Sequence, residues 1–223
     1  MMKLEKRECP LDIKIECEAG WSDVWFSYEN MQLKFLISYC FDEQLDDLLE
    51  ILYYLNPNFC DESDPNGQLF NECKEVVNKA GGFHYAYLSS TFMWNEEPSV
   101  SRWTIERDLI ESEGKKWDYS FNLHIKIERL YDSDEKTDEV FTFDVKYIDF
   151  CYAVAKAFTQ LIKKYGFYGY HMSTYNQDLN MRYLLSIKSI ALNNFDAVHL
   201  TNINSDGCTS SLEKELELLQ FDM

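Results

Sequence analysis

Trp117-Asp118-Tyr119-Ser120-Phe121-Asn122-Leu123-His124-Ile125-Lys126-Ile127-Glu128 alternates apolar and polar residues from end to end. A period of two residues marks a β-strand, because successive side chains point to opposite faces of a sheet. Trp117, Tyr119, Phe121, Leu123, Ile125 and Ile127 face in; Asp118, Ser120, Asn122, His124, Lys126 and Glu128 face out. A strand with one polar face belongs to a sheet covered on one side only, which is the habit of antiparallel sheets.

Outward from this stretch the pattern repeats. A polar turn over 132–138 leads to Phe141, Phe143 and Val145, the return strand. Upstream, residues 83–94 are rich in Tyr, Phe and Thr, Asn95-Glu96-Glu97-Pro98 reads as a turn, and 99–107 runs back with Trp103 and Ile105 on one face. Three shorter alternations open the chain: Ile13, Ile15 and Cys17; then Val24, Phe26 and Tyr28; then Leu33, Phe35, Ile37 and Tyr39. Their connections are too short for a parallel crossover, so they read as an antiparallel meander.

Elsewhere the period is helical. Asp42 is an N-cap candidate for a helix carrying Leu45, Leu48, Leu49, Leu52 and Leu55, ended by Asn56-Pro57. Leu69, Phe70, Cys73, Val76 and Val77 predict a second helix, stopped by Gly81-Gly82. Ile148, Cys151, Val154, Ala155, Phe158, Leu161 and Ile162 form the stripe of a third, over about 148–164, with Lys163 and Lys164 near its C-terminal dipole and Gly166 as its stop. A fourth covers about 179–193. After a polar loop at 201–209, Ser210-Ser211-Leu212-Glu213 has capping-box spacing and opens a terminal helix with Leu212, Leu216 and Leu219 on one side. Strands, a helix, strands and then helices predict the α+β class: one antiparallel sheet of about six to seven strands with helices packed mainly on one face. The 223 residues fit a single domain, with 12–170 as its core and 171–223 as a C-terminal helical extension.

Asp and Glu outnumber Lys and Arg by 39 to 21, giving a net charge of −18. Nucleic-acid affinity comes from cations neutralising phosphates, so this charge argues against that partner, and against anionic membrane surfaces. It favours solubility and can steer a basic protein partner. The seven cysteines are odd in number and include no C-x-x-C, so neither a zinc ribbon nor a thioredoxin-like motif is indicated. Cys17, Cys40 and Cys151 sit inside apolar patterns, as buried thiols do. The N-terminus lacks an apolar signal core, and no stretch is long and apolar enough to span a bilayer. Free thiols without an export signal point to the cytoplasm.

No phosphate-binding glycine loop, nucleophile elbow or metalloprotease motif occurs, and the sequence offers no catalytic residues, metal ligands or cofactor site. His84, His124, His171 and His199 fall one to a segment. Cys151 could pair with a distant histidine as a nucleophile, although Phe150, Tyr152 and Val154 around it read as core. Glu96-Glu97-Pro98, between aromatic strands and near Trp94 and Trp103, is the candidate protein-binding edge, since tryptophans dominate interface hot spots. The alternative is a plain hairpin whose proline limits edge pairing. Tyr165-Gly166-Phe167-Tyr168-Gly169-Tyr170 is either a ring-stacking surface or a packed aromatic turn after a helix end.

Trp21 entering a strand, Ser38-Tyr39 ending one, Asp47-Leu48-Leu49 in the first helix, Glu96-Glu97-Pro98 before a strand, and the third helix running into Tyr165–Tyr170 form a set across residues 12–170. On these residues the chain resembles bacterial immunity-like proteins of polymorphic toxin systems. The resemblance implies an α+β fold and a role in binding and neutralising a toxin. Residues 57–82 depart from it as an insertion, His171-Met172 stands where a tryptophan is expected, and the tail from 172 has no counterpart. The reading is a non-enzymatic module for a protein partner, one that is basic if it is a toxin domain. An enzyme with a site assembled from distant residues and a self-associating structural protein are the alternatives.

Overall fold

The first three alternations become β1 (Leu11–Glu18), β2 (Trp21–Tyr28) and β3 (Met31–Ser38), an antiparallel sheet in that order. The structure is a computed structural model that describes residues 8–18, 20–38, 44–56, 74–79, 82–96, 98–108, 119–131, 137–174, 177–192, 202–204, 207–220 and 223. Cross-strand register places Ile13, Phe26 and Leu33 in one row and Ile15, Val24 and Phe35 in the next, all buried. Lys14, Trp25 and Lys34 form a row on the opposite face, both ammonium groups lying over the indole ring at 4.7 and 5.1 Å.

The second alternating block forms β6 (Ser89–Asn95), β7 (Ser99–Arg107), β8 (Asn122–Tyr131) and β9 (Thr137–Lys146), a four-stranded antiparallel meander. The class is therefore α+β, but the strands divide between sheets of three and four instead of forming one layer. The two inner faces meet across an aromatic cluster. Trp103 of β7 lies 5.6 Å from Phe26 and 5.4 Å from Phe35, ring centre to ring centre, and Trp94 of β6 lies 5.3 Å from Phe35. Each sheet thus supplies apolar cover for the other, which a single seven-stranded layer would need from helices alone.

Between the sheets in sequence lie α1 (Asp46–Tyr54) and a separate ribbon of β4 (Lys74–Lys79) and β5 (Gly82–Tyr87). The ribbon corrects the expected second helix at Val76 and Val77, while Leu69, Phe70 and Cys73 lie outside the described residues. Two adjacent β-branched residues favour a strand, and Gly82, expected as part of a helix stop, pairs with Lys79 as the first residue of β5. The expected strand 83–94 is likewise two strands, broken at Leu88. Trp117 and Asp118 lie outside the described residues; Tyr119 and Phe121 are buried before β8 begins.

The third helix is α2 (Tyr147–Ser173), longer than its stripe predicts. Its first three turns are buried on nearly every side, as in a helix enclosed by other elements. Phe150 reaches Phe26 of the sheet at 6.3 Å, and the Tyr147 hydroxyl donates to the Leu52 carbonyl of α1 at 2.6 Å. Gly166 stops the regular helix, as expected, but a second helical stretch follows it directly within the same span. The glycine sits at φ 68° and ψ 169°, a region open essentially to glycine, and helical hydrogen bonding resumes to Ser173. α3 (Met181–Ala191) packs on α1 and α2; Asn180 caps it by accepting from the Tyr183 N–H at 3.3 Å.

The predicted polar loop at 201–209 contains a short ribbon, β10 (Asn202–Asn204) and β11 (Gly207–Thr209). α4 (Leu212–Gln220) buries Leu218 against Leu192, and of the expected apolar side Leu212 and Leu216 are exposed while Leu219 is half-buried. Its N–H donor at Lys214 finds Ser211 Oγ at 3.5 Å.

The two central tryptophans predict different responses to truncation. Trp94 Nε1 donates to the Gln44 carbonyl at 2.8 Å, whereas Trp103 Nε1 is buried without a partner among the described residues. Trp94→Phe leaves a buried carbonyl short of its donor, at about 1–3 kcal/mol beyond the lost ring. Trp103→Phe removes an unsatisfied donor along with its ring. Urea unfolding should show Trp94→Phe as the more damaging of the two.

Candidate functional site

The expected docking edge is placed by the hairpin of β6 and β7. Trp94 and Trp103 are 0 % exposed and belong to the aromatic core, so neither offers surface to a partner. Glu96 is 9 % exposed. Its N–H donates to the Ser99 carbonyl at 2.8 Å to close the turn, and its carboxylate accepts from the Ser101 hydroxyl and the Leu36 N–H. Arg129 of β8 stands 3.9 Å from the same carboxylate and donates to the Lys34 carbonyl. Burial pushes the Glu96 carboxyl above its ordinary range, against the lowering by Ser101 and Arg129. Lys34 and Leu36 are alternate residues of β3, so their backbone groups leave the same edge of that strand. The side chains of Glu96 and Arg129 meet them where a neighbouring strand would otherwise pair. Glu97 lies outside the described residues.

A second cluster sits on the outer face of the four-stranded sheet. His124 of β8 has Nδ1 at 2.8 Å from Asp144 Oδ1 of β9 and Nε2 at 2.9 Å from Asp108 Oδ1, just past β7. The other Asp108 oxygen accepts from the backbone and side-chain N–H groups of Asn122 at 3.0 and 3.1 Å. A neutral imidazole has one N–H, so only the imidazolium donates to both carboxylates. The hydrogen bonds to Asp144 and Asp108 hold the His124 pKa above its usual value; that to His124 lowers Asp108. Glu106 stands opposite His124 in register, and Lys126 turns to Glu128 at 2.8 Å. The arrangement is an ionic clasp across β7, β8 and β9. A ring donating from both nitrogens is occupied as an acid and has no lone pair for a metal or for general-base work.

Cys151 is fully buried in α2, and burial pushes its thiol far above the range of reactive cysteines. His171 pairs with Asp178 at 2.9 Å. The His84 side chain and His199 lie outside the described residues. Among the described residues, no three His, Cys, Asp or Glu side chains converge as a metal site, and no helix is long and apolar enough to cross a membrane.

The surface least expected of a solvated helix lies beyond the Gly166 break. Phe167 is 48 %, Tyr168 78 % and Met172 56 % exposed, while Tyr170 between them is buried. The string Tyr165–Tyr170 therefore divides: Tyr165 and Tyr170 pack inward and the two central rings face water. Exposed apolar groups gathered on one short element mark an interaction surface more often than scattered ones do. The exposed Leu212 and Leu216 of α4 lie among Glu213, Glu215 and Glu217. No protein-family model, curated protein or solved structure matches this chain.

Two predictions follow from this geometry. Glu96→Ala leaves the Ser101 hydroxyl and the Leu36 N–H without their acceptor, while Arg129 keeps the Lys34 carbonyl and Glu139 at 3.3 Å, and should lower stability by about 1–3 kcal/mol in urea unfolding, as an unsatisfied buried donor does. A docking role alone would leave stability unchanged. His124 has a raised folded pKa, so its stabilisation is complete below its unfolded value near 6.5 and disappears as pH rises through the folded pKa. Asp108 has a lowered folded pKa, so its contribution holds above about 3.8 and disappears as pH falls through the folded pKa. The stability difference between the native chain and His124→Gln should be largest between these limits and shrink as pH rises through the folded His124 pKa, and an imidazole NMR titration of His124 should give a midpoint above 6.5.

Proposed function

We propose that this chain is a non-enzymatic protein-binding module that takes a basic protein partner, in the manner of an immunity-like inhibitor of a toxin domain. The observation that carries the reading is the exposed Phe167, Tyr168 and Met172 on the last turns of α2. Aromatic rings bury large areas at little entropic cost, and both aromatic residues and methionine are enriched at interfaces. The partner's charge follows from complementarity. A chain with a net charge of −18 attracts a cationic surface at a distance and repels an acidic one, which raises the association rate of a basic partner. Trp94, Glu96 and Trp103 have no direct part in this surface, because all three are buried.

The test is calorimetric titration against the basic domain of a protein encoded beside this one, with the double variant Phe167→Ala/Tyr168→Ala in parallel. Both side chains are exposed, so the variant should fold with stability within about 0.5 kcal/mol of the native chain. Binding should weaken about thirty-fold or more, equivalent to ~2 kcal/mol, with slower association at high salt for both forms. An undiminished affinity would exclude this surface, and failure of the native chain to form a complex would exclude the role.

A further inference from the structure

We infer that the open cleft between α2, α3 and α4 is a binding site for a small amphiphile with an apolar body and an anionic head. The cleft has a volume of about 300 Å³ and is walled by Ile162 and Phe167 of α2, Leu184 of α3 and Leu219 of α4. Lys188 of α3 and Lys163 of α2 also line it. Mostly apolar walls with a few placed polar groups are the usual make-up of a small-molecule site. An apolar cavity of ~150 Å³ holds the six carbons of a benzene ring, so about twice that volume has room for an eight-carbon chain.

The head group is fixed by Lys188. Its side chain is 1 % exposed, and an ammonium is expensive to remove from water. Its partners include Thr159 Oγ1 at 3.0 Å and the Leu219 carbonyl at 3.5 Å. Thr159 Oγ1 donates in turn to the Ala155 carbonyl at 2.7 Å, which aims its lone pairs at the lysine and fixes the position of the ammonium. The Leu219 contact is at the outer limit of a hydrogen bond, and a charged acceptor forms a bond about twice as strong as a neutral one. A ligand carboxylate entering the cleft therefore competes for that donor. Lys163, exposed at the mouth, adds a second positive charge that favours an anion over a cation.

The site shares Phe167 with the docking surface, and Lys188 separates the two readings, since it can be changed while Phe167 and Tyr168 stay in place. Octanoate, octanol and octylamine are titrated into the full chain by calorimetry, with methyl NMR of Ile162, Leu184 and Leu219 as the site readout. Octanoate should bind with a Kd below about 1 mM, shift those methyls, and bind at least ten-fold more tightly than octylamine. Lys188→Met, which keeps the unbranched apolar stem and removes the ammonium, should weaken octanoate at least ten-fold and leave octanol unchanged. Lys163→Met, at an exposed position, should weaken octanoate several-fold if the buried variant does not fold. Equal affinity for octanoate and octylamine, shifts confined to other methyls, or no saturable octanoate binding would overturn the assignment.

Discussion

Trp103 is the residue on which the two sheets meet. Four rings surround it: Phe26 at 5.6 Å and Phe35 at 5.4 Å from the three-stranded sheet, Phe92 at 5.5 Å and Trp94 at 4.9 Å from its own side. Side chains alternate along a strand, so a slip of one residue in β7 would send Trp103 and Ile105 to solvent and bring Arg102 and Thr104 inside. The aromatic contact therefore fixes the register of β7, and through its ladders that of β6 and β8. It also fixes where α2 enters. Phe26 touches Trp103 on one side and Phe150 on another, so the first turns of the helix are seated on the same cluster.

Two sheets joined through their faces leave a strand edge to be managed where β3 approaches β6. An open edge invites another chain, and unpaired backbone groups that become buried are costly. Here Glu96 accepts from the Leu36 N–H and Arg129 donates to the Lys34 carbonyl, so two side chains take the place of a strand. Arg129 also lies over the Phe35 ring at 5.2 Å, which ties this polar edge to the aromatic core. Glu96 is thereby a structural carboxylate, buried and held above its ordinary pKa range by that burial.

Much of this fold is legible in the sequence because alternation reports which residues share a face. Ile13, Ile15 and Cys17, Val24 and Phe26, Leu33, Phe35 and Ile37, and Leu123, Ile125 and Ile127 all bury as their period requires. Alternation does not report what covers that face. A single layer under helices and two sheets facing each other share the same pattern, and only the three-dimensional meeting of Trp103 with Phe26 and Phe35 separates them. The same gap hides the placement of Trp94, Glu96 and Trp103. An acidic turn beside tryptophans looks like an exposed edge until its partners, Leu36, Ser101 and Arg129, are brought to it from other strands. Val76-Val77 misleads for a local reason, since a short apolar pair fits either period, and the β-branched side chains are the signal that favours the strand. The clasp at His124 joins residues from three elements, and nothing in the spacing of Asp108, His124 and Asp144 announces it.

Gly166 governs the part of the surface that differs most from an ordinary solvated helix. A methyl group built there would meet no atom within 4 Å, so the requirement for glycine lies in the backbone, at φ 68°, and not in the space around it. The break resets the direction of the residues that follow. Tyr170 returns to the core, the Ser173 carbonyl accepts from the Gly20 N–H at 3.2 Å, and Phe167 and Tyr168 are left outward. An unbroken helix would carry the buried stripe of Val154, Phe158 and Leu161 onward at positions 165, 168 and 169, turning Tyr168 toward the protein. The glycine therefore converts a continuing core stripe into an exposed aromatic turn, and it does so beside the cleft that Phe167 helps to wall.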